Sequence, residues 1–265
     1  MASRKQPLTL TEISMRRERE TLNNVLANWI RMLLLAGNVG IWSYCQQVKK
    51  VRNECKTVNK YLASLPKPIL DDLIPPLVAD FLNKISSYHK NFLVLKRIRK
   101  HSETKQDAVC TEMLNCLLGP FTREYNTGVM SSCEQRLIIQ TFHSTPNLNI
   151  LVFGTAPQID NSALLAINIH HLKHLVSFQY NYRCTDQVIQ QLALHCSKLR
   201  KINVSNSHAV TDVSVQHLLK LKDLRDLDLT GTSVTKRKYR LLLSGLPSIT
   251  NFKYSSAICD GLSSM

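Results

Sequence analysis

Five hexapeptides with one apolar pattern recur along the second half of this 265-residue chain. Each has an apolar residue at its first, fourth and sixth positions, and successive hexapeptides start 27, 24, 25 and 25 residues apart. They are LNILVF from Leu148, LVSFQY from Leu175, LRKINV from Leu199, LRDLDL from Leu224 and ITNFKY from Ile249. Alternating apolar residues are typical of a short strand with one buried face. A period of this length is typical of proteins that stack one supersecondary unit after another.

A turn, a capping residue and an amphipathic helix follow each of the first four hexapeptides. The helical segments read SALLAINIHHL, QVIQQLALHC, VSVQHLLKL and KRKYRLLLSGL, with apolar residues at intervals of three and four. The predicted helix caps are Asp160 or Asn161, Thr185 or Asp186, Thr211 or Asp212, and Thr235. One strand and one helix cannot bury their apolar faces alone, so the pattern predicts an α/β fold of stacked units with parallel strands.

The repeat pattern also indicates where the chain divides. Residues 106–265 are predicted to form the repeat domain, with Ser132 to Ser144 as the helix of an earlier, degenerate unit and Thr111 to Leu118 as another helix. Residues 1–105 are predicted to be helical, over Glu12–Leu35, Trp42–Leu62 and Leu77–Ile98. Prolines are expected to break the segment before Leu77 into short pieces, namely Pro66, Pro68, Pro75 and Pro76.

One stretch of the repeats resembles a known family. The run from Cys184–Thr185–Asp186 to Val204, continued from Val210 to Leu229, resembles the cysteine-containing leucine-rich repeats of F-box substrate receptors and of the antagonist-of-mitotic-exit-network group. This resemblance implies a leucine-rich-repeat solenoid preceded by an all-helical N-terminal region, with a concave strand face that binds a protein. The candidate partner-binding residues on that face are Asn149, Val152, Val176, Gln179, Arg200, Asn203, Arg225, Asp228, Thr250 and Lys253.

Two patterns in the N-terminal region resemble the adaptor-binding boxes of ubiquitin ligase receptors. Residues 21–30 (TLNNVLANWI) are similar to the elongin-binding pattern. Leu65–Pro66 opens a segment similar both to the start of an F-box helix and to the cullin-contacting part of elongin-binding boxes. The candidate adaptor-binding residues are Leu22, Leu26, Ile30, Leu65, Pro66, Ile69, Leu70 and Leu73. The alternative for the same residues is an ordinary helical cap with a helix that starts at proline.

The positive charge of the chain is uneven. The 34 Lys and Arg and 19 Asp and Glu residues give a formal net charge of +15. Residues 1–100 hold 18 basic and 7 acidic residues, which is +11, whereas residues 101–265 hold 16 and 12, which is +4. Basic runs at Lys96–Lys100 and Lys236–Arg240 fit either phosphate binding or a solvated helix face. An excess of this kind is compatible with nucleic acid as a partner, with acidic protein partners, or with a basic surface that only keeps the protein soluble.

Metal, cofactor and catalytic signals are weak. The eight cysteines contain no CxxC pair and are predicted to be reduced and mostly buried. His170, His171 and His174 form HHxxH without the acidic residue of HExxH, which favours surface or capping histidines over a metal site. No phosphate loop and no G-x-S-x-G is present. The apolar run from Leu26 to Trp42 is interrupted by Arg31, which favours a buried helix over a membrane span.

These patterns together predict a non-enzymatic protein-interaction module of the cytoplasm or nucleus, without cofactor, metal or membrane. The sharper hypothesis is a substrate-recruiting subunit of a cullin-RING ubiquitin ligase, SCF-type or elongin-type, in ubiquitin-dependent protein degradation. Its partners would be a Skp-type or elongin adaptor, a cullin and a protein substrate. The alternative hypothesis is a basic nuclear or nucleic-acid-associated scaffold protein without a ligase role.

Overall fold

A computed structural model describes residues 16–25, 27–28, 41–95, 110–111, 113–126, 132–154 and 160–255. By its backbone contacts the chain divides into two compact units, Met1–Leu117 and Leu118–Met265. The predicted boundary at residues 105 and 106 lies outside the described residues, as do Leu26 and Ile30.

Four helices make up the described part of the first unit. Helix α1 covers residues 16–25 and 27–28, α2 is Ile41–Ser64, α3 is Lys67–Leu95, and α4 covers residues 110–111 and 113–117. Polar contacts join them in pairs. The Asp80 carboxylate of α3 accepts from Arg19 Nη2 at 2.9 Å and from Asn23 Nδ2 at 3.1 Å. The Asn59 amide of α2 donates to the backbone oxygen of Cys116 in α4 at 3.0 Å.

Pro66 lies in the predicted break between α2 and α3, but Pro68, Pro75 and Pro76 do not break the chain, so the prediction of short pieces is wrong for those three. Pro75 and Pro76 lie inside the single helix α3. An interior proline costs about 3 kcal/mol because it removes a backbone hydrogen bond and crowds the preceding turn. The apolar side chains around this pair bury themselves in the unit, each contributing about 1.5–3 kcal/mol, which offsets that cost. They are Leu70, Leu73, Ile74, Leu77, Val78, Phe81 and Leu82.

Six parallel strands form one sheet in the second unit, and their order across the sheet is their order along the chain. They are β1 (Glu124–Asn126), β2 (Ile150–Phe153), β3 (Ser177–Tyr180), β4 (Lys201–Asn203), β5 (Asp226–Asp228) and β6 (Asn251–Lys253). The predicted α/β class with parallel strands is therefore confirmed. The strand missing from the prediction is β1, because the residue at the first apolar position of its hexapeptide is Thr122, although Thr122 is buried like its apolar counterparts.

A helix lies between each pair of successive strands. These helices are α5 (Ser132–Gln140), α6 (Ser162–Asn168), α7 (Asp186–His195), α8 (Val213–Leu218) and α9 (Lys236–Gly245). Each of them contacts the next helix along the chain. Short 3₁₀ segments follow α5 at Phe142–Ser144 and α6 at Ile169–His171. The second unit thus alternates strand and helix throughout its described length.

The core of the second unit is built from columns of equivalent residues. Leu151, Phe178, Ile202 and Leu227 are partners in the register of neighbouring strands, and each is at most 2% exposed. The helices bury one side with them, for example through Leu165, Leu192 and Leu242, each 0% exposed. Because the same position of every repeat points inward, a single sequence pattern produces one continuous core.

Carboxylates also link successive repeats. Asp186 accepts hydrogen bonds from Thr211 N at 2.9 Å and Thr211 Oγ1 at 2.6 Å, and from the Ser214 hydroxyl. Asp212 accepts in the same way from Thr235 N at 2.7 Å and Thr235 Oγ1 at 2.9 Å. Thr235 occupies the N-cap position of α9 as predicted, but its side chain makes no capping hydrogen bond there. Thr185 does cap its helix, accepting from Val188 N at 3.4 Å.

The turns after the strands stack as well. Asn206 N donates to Thr230 O at 2.6 Å, and Gly231 N donates to Ser255 O at 2.8 Å. Gly231 has a φ of 68°, and a Cβ atom there would lie 2.6 Å from Asn206 Oδ1. Tyr182 and Asn206 have left-handed backbones at the equivalent turns, so the close approach to Asn206, more than the value of φ, favours glycine at position 231.

The described cysteines form no disulfide, in agreement with the sequence prediction. Cys184 and Cys196 are fully buried in the second unit, and Cys196 Sγ donates to Leu172 O at 3.3 Å. Burial raises the pKa of the Cys196 thiol to about 12 and that of Cys184 far above its usual value. Both thiols therefore stay protonated at neutral pH and act as core residues. Separately, none of the helices described is long and apolar enough to cross a membrane.

We expect Asp186→Ala to lower the free energy of unfolding by about 2–3 kcal/mol, because it removes charge-assisted hydrogen bonds and leaves donors of the next repeat unpaired. Urea unfolding followed by circular dichroism measures the loss. Asp223→Ala, at an exposed carboxylate in the turn before β5, is the matched control and should change little. Equal effects of the two substitutions would contradict the role of Asp186 in joining repeats.

Candidate protein-binding face

The outward side chains of the sheet form two rows. They alternate with the buried columns along each strand, and each is exposed or half-buried. In the strand register, one row is Glu124, Ile150, Ser177, Lys201, Asp226 and Asn251, and the other is Asn126, Val152, Gln179, Asn203, Asp228 and Lys253. The described helices therefore leave this face of the sheet uncovered.

The predicted concave-face residues fall in two places. Five of them lie in the second row, namely Val152, Gln179, Asn203, Asp228 and Lys253. The others lie one residue before their strands and in neither row, namely Asn149, Val176, Arg200, Arg225 and Thr250. Their backbones extend the hydrogen-bonded ladder, as where Arg225 N donates to Arg200 O at 2.9 Å.

The first row was absent from the sequence prediction. Its members occupy the third position of each hexapeptide, which shares a face with the fifth because side chains alternate along a strand. Strict application of that period of two to LRKINV would have selected Lys201 with Asn203 and excluded Arg200. The side chain of Asn149 serves the turns instead. Its amide nitrogen donates hydrogen bonds to the backbone oxygens of Asn147 and His174, each at 3.1 Å.

The uncovered face is not basic, although the chain is. Its two rows contain three acidic residues, Glu124, Asp226 and Asp228, and two lysines, Lys201 and Lys253, which gives a net charge of −1. Lys201 Nζ lies 2.9 Å from Asp226 Oδ2. The positive excess of +15 is therefore carried elsewhere in the chain. A face of mixed sign and amide groups suits a protein surface better than a polyanion.

Two side chains of this face are held by hydrogen bonds from backbone amides of the turns that follow their strands. Asn203 Oδ1 accepts from Ser205 N at 3.1 Å, and Asp228 Oδ1 accepts from Thr230 N at 3.0 Å. Both are side-chain turns that span two residues and fix the side-chain rotamer. Side chains already ordered lose less conformational entropy when a partner binds.

The face carries a shallow depression over β3 to β6. Its volume is about 170 Å³, and it is lined by Gln179, Lys201, Asn203, Asp226, Asp228 and other residues of those strands. Pockets for drug-sized ligands usually enclose roughly 300–1,000 Å³. This depression is therefore too small to bury such a ligand, and it forms part of a wider contact surface.

The predicted adaptor-binding residues lie in the first unit. Leu22, Leu70 and Leu73 are 7%, 5% and 3% exposed, so their side chains belong to the core of that unit. Leu65 lies in the bend between α2 and α3 and is half-buried, as is Ile69, whereas Pro66 is exposed. Among the described members of the predicted set, these three are therefore the ones whose side chains an adaptor could reach in this conformation.

Two of the HHxxH residues, His170 and His171, belong to a histidine cluster at the ends of successive helices, whereas His174 Nδ1 lies 3.1 Å from Lys198 Nζ. The ring centroids of His170 and His171 are 3.9 Å apart, and those of His143 and His195 lie 6.2 Å from His171 and His170 respectively. His170 Nδ1 lies 2.7 Å from Ile167 O, and His143 Nδ1 lies 2.9 Å from Gln140 O. Within the described part of the chain no group of three metal-ligating residues is placed to hold an ion. Of these histidines, His143 and His170 bond to carbonyls of the last turn of their own helices.

Comparison of this chain with protein-family models and with curated proteins found no match. Any inference about its function therefore starts from the residues and geometry of the sheet face and of the helices.

We expect the histidine cluster to make the second unit less stable in acid. Partial burial, and then the charges of His170, His143 and Lys173, lower the pKa of His171. The unfolded histidine takes up a proton near pH 6.5, so the unfolded state binds more protons there and stability falls as the pH drops through that value. His171→Gln should reduce the difference between the urea midpoints at about pH 7.5 and about pH 5.5.

His208→Gln, at an exposed histidine in the turn after β4, is the control for this measurement. It should leave the pH dependence of the midpoint unchanged. An undiminished acid loss in His171→Gln would show that His171 does not cause it.

Proposed function

We propose that this chain is a non-enzymatic protein-interaction protein in which residues 118–255 act as a leucine-rich-repeat solenoid. The observation that carries the proposal is the pair of registered rows of polar side chains on a sheet face that the described helices leave open. Strand order that follows chain order, with one helix per strand, supports the solenoid. Repeat proteins of this kind bind partners along their extended strand surface.

The dimensions of the face suit a protein partner. Six strands at about 4.8 Å spacing span about 24 Å, enough to lie along an extended segment or one side of a helix. A stable interface needs roughly 800 Å² from each partner. The turns and the edges of neighbouring elements would contribute the contact area that the two rows alone do not provide.

The sharper proposal is that the protein recruits substrates to a cullin-RING ubiquitin ligase in the cytoplasm or nucleus. Its support is the order of parts, a helical unit followed by strand–helix repeats, together with the resemblance of the repeats around Cys184 and Cys196 to those of F-box receptors. This support is by analogy of architecture. In this assignment the sheet face holds the substrate and the bend at Leu65–Pro66 meets the adaptor.

The open face is tested by a double substitution, Ser177→Arg with Gln179→Arg, which places two long cations in the depression. Proteins that bind the full chain through this face should be lost when it is purified with a tag and its partners are quantified by mass spectrometry. The control is Gln187→Arg with Gln190→Arg, on exposed positions of α7, which adds the same charge on the helical side. Loss of the same partners from the control would contradict the assignment of the face.

The ligase role predicts that the same purification recovers a cullin with a Skp-type or elongin adaptor. Ile69→Lys should reduce adaptor recovery several-fold, because it introduces a charge into a half-buried apolar contact. Pro68→Lys, at the exposed neighbouring position, adds the same charge and should keep the adaptor. Recovery of partners with neither cullin nor adaptor would remove the ligase role.

The second candidate is a basic scaffold that binds nucleic acid, and exposed lysines on α2 favour it. Lys49, Lys56 and Lys60 recur at intervals of seven and four, which places them on one side of the helix, and all three are exposed. Binding of the full chain to a single-stranded RNA oligonucleotide that falls steeply with salt, with no adaptor recovered, would favour this candidate over the ligase.

A further inference from the structure

Helix α9 carries a concentration of positive charge that forms no ion pair with the residues described in the structure. It begins with Lys236, Arg237 and Lys238, and Arg240 follows one turn later. No acidic residue lies in its first turn, and none of the four cations forms an ion pair with a residue that the structure describes. Positive charges at the start of a helix oppose the helix dipole and repel one another. The charges themselves therefore do not stabilise the start of this helix.

The exposed side of α9 has a defined pattern. Intervals of three and four align Lys236 with Arg240 and Ser244, with Arg237 beside them. Leu241 and Leu243 lie on either side of this basic stripe and are 46% and 42% exposed. Leu242, on the opposite side, is fully buried and anchors the helix in the core.

Membranes, nucleic acids and acidic proteins all attract cations, and the arrangement of leucines around the basic stripe distinguishes among these three kinds of partner. A helix that lies on a membrane has its apolar residues grouped on the side facing the lipid, with the cations around them. Here the cations form the centre and the leucines the two borders. Nucleic acid would use the cations, but its phosphates offer nothing to aliphatic side chains at these borders. An acidic segment of a protein with aliphatic side chains beside its carboxylates matches both features.

We propose that α9 is a second docking surface, which binds an acidic segment of a partner protein that also carries exposed aliphatic residues. Carboxylates of the segment pair with Lys236, Arg237 and Arg240, and its aliphatic side chains cover Leu241 and Leu243. The surface is chemically unlike the sheet face, whose two rows have a net charge of −1. One segment therefore does not suit both surfaces, and the proposal stands independently of the function assigned to the sheet.

The test uses the full chain and a fluorescent helical peptide of about 16 residues, in which a stripe of glutamates is bordered by leucines. Fluorescence anisotropy should show binding that weakens about tenfold or more in Arg237→Gln with Arg240→Gln, and also with rising salt. Leu241→Gln with Leu243→Gln should weaken it about threefold or more, by exposing the aliphatic contacts of the peptide. A peptide with glutamine in place of glutamate should bind at least tenfold more weakly.

The matched control is Lys220→Gln with Lys222→Gln, which removes the same charge from exposed positions outside α9. It should bind the acidic peptide like the unaltered chain, as should Ser177→Arg with Gln179→Arg. Unchanged urea midpoints of all variants exclude loss of folding. Equal binding by the α9 charge variant and its control would overturn the proposal. So would α9-dependent binding of a single-stranded RNA 20-mer, or of phosphatidylserine vesicles, with no binding of the acidic peptide.

Discussion

Each strand of the sheet has only three or four residues, and the hydrogen bonds to its neighbours in register hold it in place. The same register aligns Leu151, Phe178, Ile202 and Leu227 into one buried column. Stacked turns at Gly231 and carboxylate links from Asp186 and Asp212 repeat at the same interval. A slip of one residue in any strand would exchange its buried and outward side chains, so the core and the candidate binding face depend on a single alignment.

The two surfaces proposed for binding differ in how their charged and polar side chains are held. The repeats share one backbone fold, but their outward residues differ. On the sheet, Asn203 and Asp228 hold themselves by hydrogen bonds to their own turns, and Lys201 pairs with Asp226. On α9 the cations remain unpaired among the described residues and oppose the dipole of their own helix. The sheet face therefore offers a partner side chains whose positions are already fixed by hydrogen bonds. Helix α9 instead offers positive charges that form no ion pair with the described residues.

Particular residues show how far sequence reasoning reached. The hexapeptides from Leu148 onward identified five strands because each has three apolar residues at fixed places, a strong local signal. The strand β1 escaped because Thr122, a polar residue, occupies a buried position and keeps its hydroxyl satisfied by Gly119 N at 3.1 Å. Pro75 and Pro76 predicted a break in the helix. The helix is continuous because apolar side chains around them are buried in the unit, and this burial is not evident from the local sequence. Thr235 lies at the predicted N-cap position, but its hydroxyl bonds to Asp212, 23 residues earlier, and no local pattern indicates that contact.

The sequence by itself determined the period, the parallel α/β class and the inward side of each strand, because these follow from the spacing of apolar residues along one segment. Only the tertiary structure decided which outward residues stand side by side, since register joins residues about 25 positions apart. It also decided that Leu22, Leu70 and Leu73 are enclosed in the first unit, whereas Leu241 and Leu243 remain open to solvent. Burial depends on which other segments pack against a side chain, and no local pattern contains that information.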